Sequence, residues 1–284
     1  MTAIPGKINP NAAQPTSISA LLTSLRKNRY LVLHMAQREI VGRYRGSVMG
    51  LAWSFFNPML MLAVYTFVFS VVFKARWGGA DIDESRGMFA IVLFVGMITH
   101  SLFAEVINRA PTLIISNVNY AKRVIFPLEA LPVISICTAL FHAAVSMGIL
   151  LGAFIIMKGY IHWTVVFLPI VIMPLIILTL GFAWALASLG VFLRDVSQTI
   201  SIITTIMLFL APVMYPISAV PPKLQLVIMA NPLTFIINQA RAVLIFGNQP
   251  QWLGLAIYFL VATLIAWGGF AWFQKTRKGF ADVL

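Results

Sequence analysis

From Leu51 to Phe73 the chain carries no charged residue. A helix needs roughly 20 apolar residues to cross a bilayer core, and this run supplies them. A segment apolar on every side requires lipid or a large protein core around it. Immediately ahead of it lies a short basic, glycine-punctuated stretch with Arg38, Arg43 and Arg45 among Gly42, Gly46 and Gly50. The junction therefore presents a cationic surface element and then enters a membrane.

The rest of the composition agrees. Of 284 residues, 60% are hydrophobic and only 10% are charged, whereas a soluble domain carries about 25% charge. The net charge of +12 does not point to nucleic acid. The Lys and Arg residues lie in short segments between apolar runs, where membrane topology accounts for them. A single cysteine, Cys137, allows no disulfide framework within the chain. Residues 1–19 are rich in proline, asparagine and serine and lack the apolar core of a signal peptide, so they read as a cytoplasmic tail.

The expected fold is an all-α integral membrane protein with six transmembrane helices. Residues 20–50 form an amphipathic interface helix and a junction. At 100° per residue, Lys27, His34 and Arg38 share one face of Ala20–Val41, while Leu21, Leu22, Leu25, Val32, Ala36 and Ile40 fall on the other. A turn is expected near Gly42. Within 51–273 the spans fall at about 51–73, 88–104, 128–157, 164–192, 196–216 and 252–273, and 274–284 is a second cytoplasmic tail. Residues 108–127 are too polar to span and too apolar for a loose linker, so they read as a structured inner loop. Residues 217–248 hold two short apolar pieces that meet at Asn231–Pro232. They read as a re-entrant or outer-surface helical hairpin. With both termini inside, 14 of the 20 Lys and Arg residues face the cytoplasm. That tally places Lys74, Arg76, Arg86, Lys158, Lys223 and Arg241 outside. The fourth span carries Gly181, Ala183, Ala185, Ala187 and Gly190, small residues that permit close helix approach.

Chemistry is sparse. The chain has no Walker A sequence, no HExxH and no GxSxG. No metal site or catalytic group is expected. Glu105, Glu129 and Asp195 read as scattered span-edge acids, and His142 as a lone histidine in the third span. An ion-driven transporter normally places ionisable groups at the midplane. Transport by this chain would instead draw on a separate ATP-hydrolysing subunit. A membrane enzyme acting on lipid-linked sugars would need a carboxylate or histidine cluster, which the sequence does not display.

The runs GRYRGSVMGLAWSFFNPMLMLAVYTFVFSVVF, LIISNVNYAKRVIFPLEALP, VFLRDV, APVMYP and NPLTFIINQAR, in this order from Gly42 to Arg241, resemble the permease subunit of ABC-2 type polysaccharide exporters. Members of that family export O-antigen, capsular or teichoic-acid polymers. The resemblance implies a bacterial inner-membrane homodimer with two copies of a nucleotide-binding subunit that holds the ATP and Mg. It implies a glycan on an anionic lipid carrier as substrate, O-antigen above all. It also implies a coupling helix within 112–124 and an outer gate after Tyr215, at Pro216, Pro221, Pro222, Asn231 and Pro232. Thr112, Ser116, Asn117, Asn119, Lys122 and Arg123 are the coupling candidates. Lys27, His34, Arg38, Arg43 and Arg45 are candidates for the lipid head group, which charge-assisted hydrogen bonds would hold. Trp53, Phe55, Phe56, Tyr65, Phe69, Phe209 and Tyr215 are candidates for an aromatic channel on which sugars stack and slide. An ABC-2 permease for a small lipid or drug would share the fold.

Overall fold

The computed structural model describes residues 16–73, 77, 86–118 and 126–284. All regular structure among these residues is helical. α1 (Ile18–Lys27) starts at Ser17, whose hydroxyl accepts from the Ala20 N–H, and stops at Asn28. There the side-chain amide donates to the Ser24 carbonyl at 2.8 Å, offering the backbone an alternative to helix continuation. α2 (Arg29–Arg43) follows. The single helix expected over 20–41 is thus two helices, and the second runs through Gly42 before the turn at residues 44–46. Leu21, Val32 and Ala36 are buried as their face predicts, but Leu22 is exposed.

The first membrane segment runs from a 3-10 turn (Gly50–Ala52) through α3 (Trp53–Tyr65) into a π-helical stretch (Thr66–Val72). α4 (Arg86–Arg109) is longer than the 88–104 expected and carries Glu105 and Arg109 on helical turns. α5 is Ala130–Lys158, α6 is Leu168–Phe192, and α7 is Val196–Leu210. α8 (Pro222–Ala230) and α9 (Pro232–Leu244) form the hairpin, and α10 is Trp252–Thr276. Short turns at Arg277–Gly279 and Phe280–Val283 close the chain.

Among the described residues, five helices are long and apolar enough to cross a membrane, and the pair α8–α9, bent by 93°, supplies a sixth if it counts as one span. α7 has 15 residues. Its length of about 22 Å falls short of the roughly 30 Å hydrocarbon core. The span expected over 196–216 ends at Leu210 because Ala211 leaves the helix with ψ 150°, ahead of Pro212. α4 is the centre of the bundle: 83% of its most apolar stretch is buried, against 11–33% for the other spans. α6 and α10 form the closest pair. A Cβ on Gly269 would lie 2.0 Å from the Gly181 carbonyl oxygen, so only glycine fits at that crossing.

Two ends of the bundle are distinct. At the basic end, α1, α2, residues 110–117 and the C-terminus gather around a buried apolar cluster with Ile114, Leu131, Trp184 and Phe273. At the opposite end, α9 is tied to α4 and to the turn after α7. Arg241, counted from sequence among the outer basic residues, is 2% exposed. Its guanidinium donates to the carbonyls of Val92 (2.9 Å), Pro212 (2.5 Å) and Val213 (2.9 Å) and lies 4.2 Å from the Trp77 ring centre. A guanidinium offers five donors, which lets one buried side chain satisfy three carbonyls from two segments. Arg241 is therefore a core staple at the end opposite the basic one.

Candidate functional site

The first apolar helix brings one stripe of side chains to the bundle. Trp53, Asn57, Met61 and Tyr65 recur every fourth residue and share a face of α3. They line a cleft of about 470 Å³ with Arg43, Tyr44, Ser101, Glu105, His142 and Ser146. The wall is half aromatic or apolar and half hydrogen-bonding, with one basic, one acidic and one imidazole group.

These ionisable groups are in contact. Arg43 Nη1 donates to Glu105 Oε1 at 2.6 Å. His142 Nδ1 lies 3.0 and 3.1 Å from the two Glu105 oxygens and 2.9 Å from Arg43 Nη1. The Tyr44 hydroxyl is 3.3 Å from His142 Nε2. His142 Nδ1 has one role at a time: protonated, it donates to Glu105, and unprotonated, it accepts from Arg43. The cluster joins α2, α4 and α5. Glu105 is thus a paired group, and the expected scatter of isolated acids gives way to a triad assembled across three helices. Tyr44 titrates above its usual range because burial disfavours the phenolate.

A second polar junction lies nearby at the basic end. Arg109 pairs with Glu39, which also accepts from Thr138 at 3.2 Å. A third joins distant parts of the chain. Glu129 accepts from Ser24 at 2.8 Å and from Arg277 at 2.8 Å, and Arg277 also reaches the Phe126 carbonyl at 3.3 Å. These two pairs bracket the inner loop on either side. Its described part is a series of turns: Ser116 donates to the Thr112 carbonyl at 2.8 Å, and Asn117 to the Leu113 carbonyl at 2.9 Å. Thr112 and Ser116 are exposed, while Leu113 and Ile114 are buried beneath. Pro111 packs against α6 so closely that a Cβ on Gly190 would sit 1.9 Å from its carbonyl oxygen. Asn119, Lys122 and Arg123 lie outside the described residues.

The remaining sequence candidates separate. Lys27, His34, Arg38, Arg43 and Arg45 are all exposed, and of these only Arg43 lines the cleft. Of the aromatics, Trp53 and Tyr65 line it. Phe55 and Phe56 are exposed on other faces of α3. Phe69 packs on Phe73 and Phe89 at ring distances of 5.7 and 5.4 Å. Phe209 is exposed on α7, and the Tyr215 hydroxyl donates to its carbonyl at 2.8 Å. At the hairpin, Asn231 caps α9 by accepting from the Leu233 N–H and donates to the Met207 carbonyl at 2.9 Å. Pro222 and Pro232 occupy first helical positions, where their missing N–H costs nothing, and Pro216 and Pro221 precede short helices in extended conformation. Tyr44, Asn57, Glu105 and His142 had no local signal of shared function. Only the four-residue spacing of Trp53, Asn57, Met61 and Tyr65 was available in the sequence.

Residues 30–245 match the ABC-2 type transporter family across most of the chain. The chain belongs to that family. The ABC-2 assignment fits the helical bundle and makes this a multi-pass membrane transport protein. Among similar proteins is an O-antigen export system permease protein RfbA of Myxococcus xanthus, 26% identical over 264 residues, covering 92% of this chain and 98% of that protein. An RfbA permease of Klebsiella pneumoniae is 24% identical over 256 residues, covering 89% and 95%. The ABC-2 match includes the whole cleft, the Arg109–Glu39 junction and both helices of the hairpin, whereas Ser24 and Arg277 of the third junction lie outside it.

Proposed function

We propose that this chain is the permease subunit of an ATP-driven exporter that moves a lipid-linked polysaccharide of the O-antigen class out of the cytoplasm. It works as a homodimer in the bacterial inner membrane with two copies of a separate nucleotide-binding subunit, which holds the ATP and Mg. Both termini are cytoplasmic. The basic end then faces the cytoplasm, where the positive-inside rule puts it.

The observation that carries this reading is the cleft. A cation, a tyrosine and a tryptophan stand with serines and an asparagine on the first membrane helix and its neighbours. Arg43 suits the anionic carrier head, and hydrogen-bonding groups beside aromatic faces suit the first sugars. The exposed Lys27, His34, Arg38 and Arg45 draw the carrier to the membrane surface. The turns at 110–117, bracketed by Arg109–Glu39 and Glu129–Arg277, receive the stroke of the ATPase. The hairpin of α8 and α9 closes the outer mouth.

The test is reconstitution of the chain with its cognate ATPase in proteoliposomes containing a labelled lipid-linked glycan. ATP-dependent translocation that is lost with Arg43→Gln supports the assignment. Translocation of short lipids or drugs with no glycan movement would replace it with the small-substrate reading.

A further inference from the structure

Glu39 and Arg43 stand one turn apart on α2, and Glu105 and Arg109 one turn apart on α4. They pair crosswise, Glu39 with Arg109 and Arg43 with Glu105, so each helix contributes one acid and one base. The crossed pairing fixes one register between the two helices. Beyond it α2 is lightly held, for of its own residues only Val32 and Ala36 are buried. Its ends are loose joints. The chain breaks helix at Asn28, and Gly46 (φ 85°) and Gly50 (φ 51°) follow α2 with open space around each. The C-terminal end of α2 also walls the cleft, through Arg43 and Tyr44.

Lifting α2 separates both ion pairs, and the groups left behind fare differently. The Arg109 side chain, 41% exposed, passes to water. Thr138 keeps its bond to the Ile134 carbonyl at 3.2 Å. Glu105 is only 18% exposed, and a largely buried carboxylate without a partner is costly. His142 on α5 prevents this, with Nδ1 at 3.0 and 3.1 Å from the two Glu105 oxygens. With the proton on Nδ1, Nε2 accepts from the Tyr44 hydroxyl at 3.3 Å, and the bond to Glu105 survives the departure of Arg43. In the latched state that Nδ1–H also faces Arg43 Nη1 at 2.9 Å, a contact between two donors that release relieves. We infer that His142 is the release residue of this latch, taking over Glu105 when Arg43 leaves so that α2 can lift and open the cleft during transport. This rests on the reading that an ATPase drives the turns at 110–117. Those turns continue α4 from Arg109, so a displacement there acts first on the Arg109–Glu39 pair. Without the imidazole, the latched state keeps its Arg43–Glu105 pair while the open state loses the partner of Glu105. The latch then stays shut. His142 acts here through Glu105, as a positioning residue.

The test is spin-label distance measurement between Leu33→Cys on α2 and Trp272→Cys on α10, both exposed, in a Cys137→Ser chain assembled with its cognate ATPase in nanodiscs. With ATP and vanadate, the chain with His142 intact is expected to gain a longer-distance population. His142→Leu is expected to lower that population about tenfold and to slow glycan translocation with it. His142→Gln keeps a donor for Glu105 and is expected to restore both. A merely structural role has the opposite sign: His142→Leu would loosen α2 and raise the population, which overturns the inference. Equal populations in the two chains overturn it too, as does glycan export with α2 unmoved, and in these cases continued ATP-dependent export leaves the reading beneath intact. A complex that moves no glycan at all overturns both. Glu105→Gln removes the charge that must be covered, so it is expected to free α2 and to make residue 142 indifferent. An α2 that stays latched in Glu105→Gln overturns the inference even if His142→Leu does not fold.

Discussion

Arg277 Nη1 lies 2.8 Å from Glu129 Oε2, joining residues 148 positions apart. The pair ties the C-terminal turn to the start of α5, and through Ser24 it also holds α1. Both side chains are mostly buried, at 18% and 9% exposure. Arg277→Ala removes the partner of a buried carboxylate and the donor to Phe126 O. It is expected to destabilise by about 1–3 kcal/mol, the range for a buried polar group left unpaired. A double-mutant cycle with Glu129→Gln, read by thermal unfolding in detergent, should show a coupling of at least about 0.5 kcal/mol. Additive effects would show that the pair contributes nothing beyond its members.

Gly190 gives a second expectation. Adding a methyl there places it on the Pro111 carbonyl, a backbone atom that cannot swing away. Gly190→Ala should cost about 1–3 kcal/mol through overpacking. It should also lower transport per ATP hydrolysed, because the loop that packs on α6 is displaced. Gly152→Ala on α5 meets nothing within 4 Å and serves as the control. Its melting temperature should hold or rise slightly, since alanine favours the helix. Equal behaviour of the two variants would contradict the close approach.

The staple at the opposite end is testable by side-chain chemistry. Arg241→Met keeps the volume and removes three hydrogen bonds to Val92, Pro212 and Val213. The loss is expected to be on the order of 3 kcal/mol, seen as a lower thermal midpoint. Arg241→Lys keeps a charge but not the fork, so it should recover only part of the loss. Full recovery by lysine would mean that charge alone matters at this site.

The aromatic stripe makes a functional prediction. Trp53→Ala and Tyr65→Ala, each in the cleft, should reduce glycan translocation in proteoliposomes severalfold while ATPase assembly persists on pull-down. Trp272→Ala, exposed on α10, should leave translocation intact. If all three behave alike, the stripe is a lipid-facing belt and not a substrate path.

Much of the bundle was legible in the sequence because each long helix is apolar over its whole length. Boundaries failed where polar residues were satisfied out of sight. Glu105 and Arg109 looked like residues beyond a span that ended at 104, but His142 with Arg43 and Glu39 partner them, and α4 runs on to Arg109. Arg241 counted only as an outer basic residue of the hairpin, because a sequence does not reveal the three carbonyls that enclose it. The α1–α2 break at Asn28 rests on one side-chain hydrogen bond that an apolar periodicity does not register.

The sequence by itself determined that this chain is a membrane bundle with a basic stretch ahead of its first span, since uncharged runs of span length have no other stable solvent. It also determined the α3 stripe, because a four-residue spacing fixes a face. Only the tertiary structure decided that Arg43, Glu105 and His142 meet. They lie on three helices separated by up to 99 positions, and their contact follows from how those helices pack. Packing likewise decided that Arg241 is buried and that Pro111 rests on Gly190. Such contacts depend on distances between segments, which no local pattern of residues encodes.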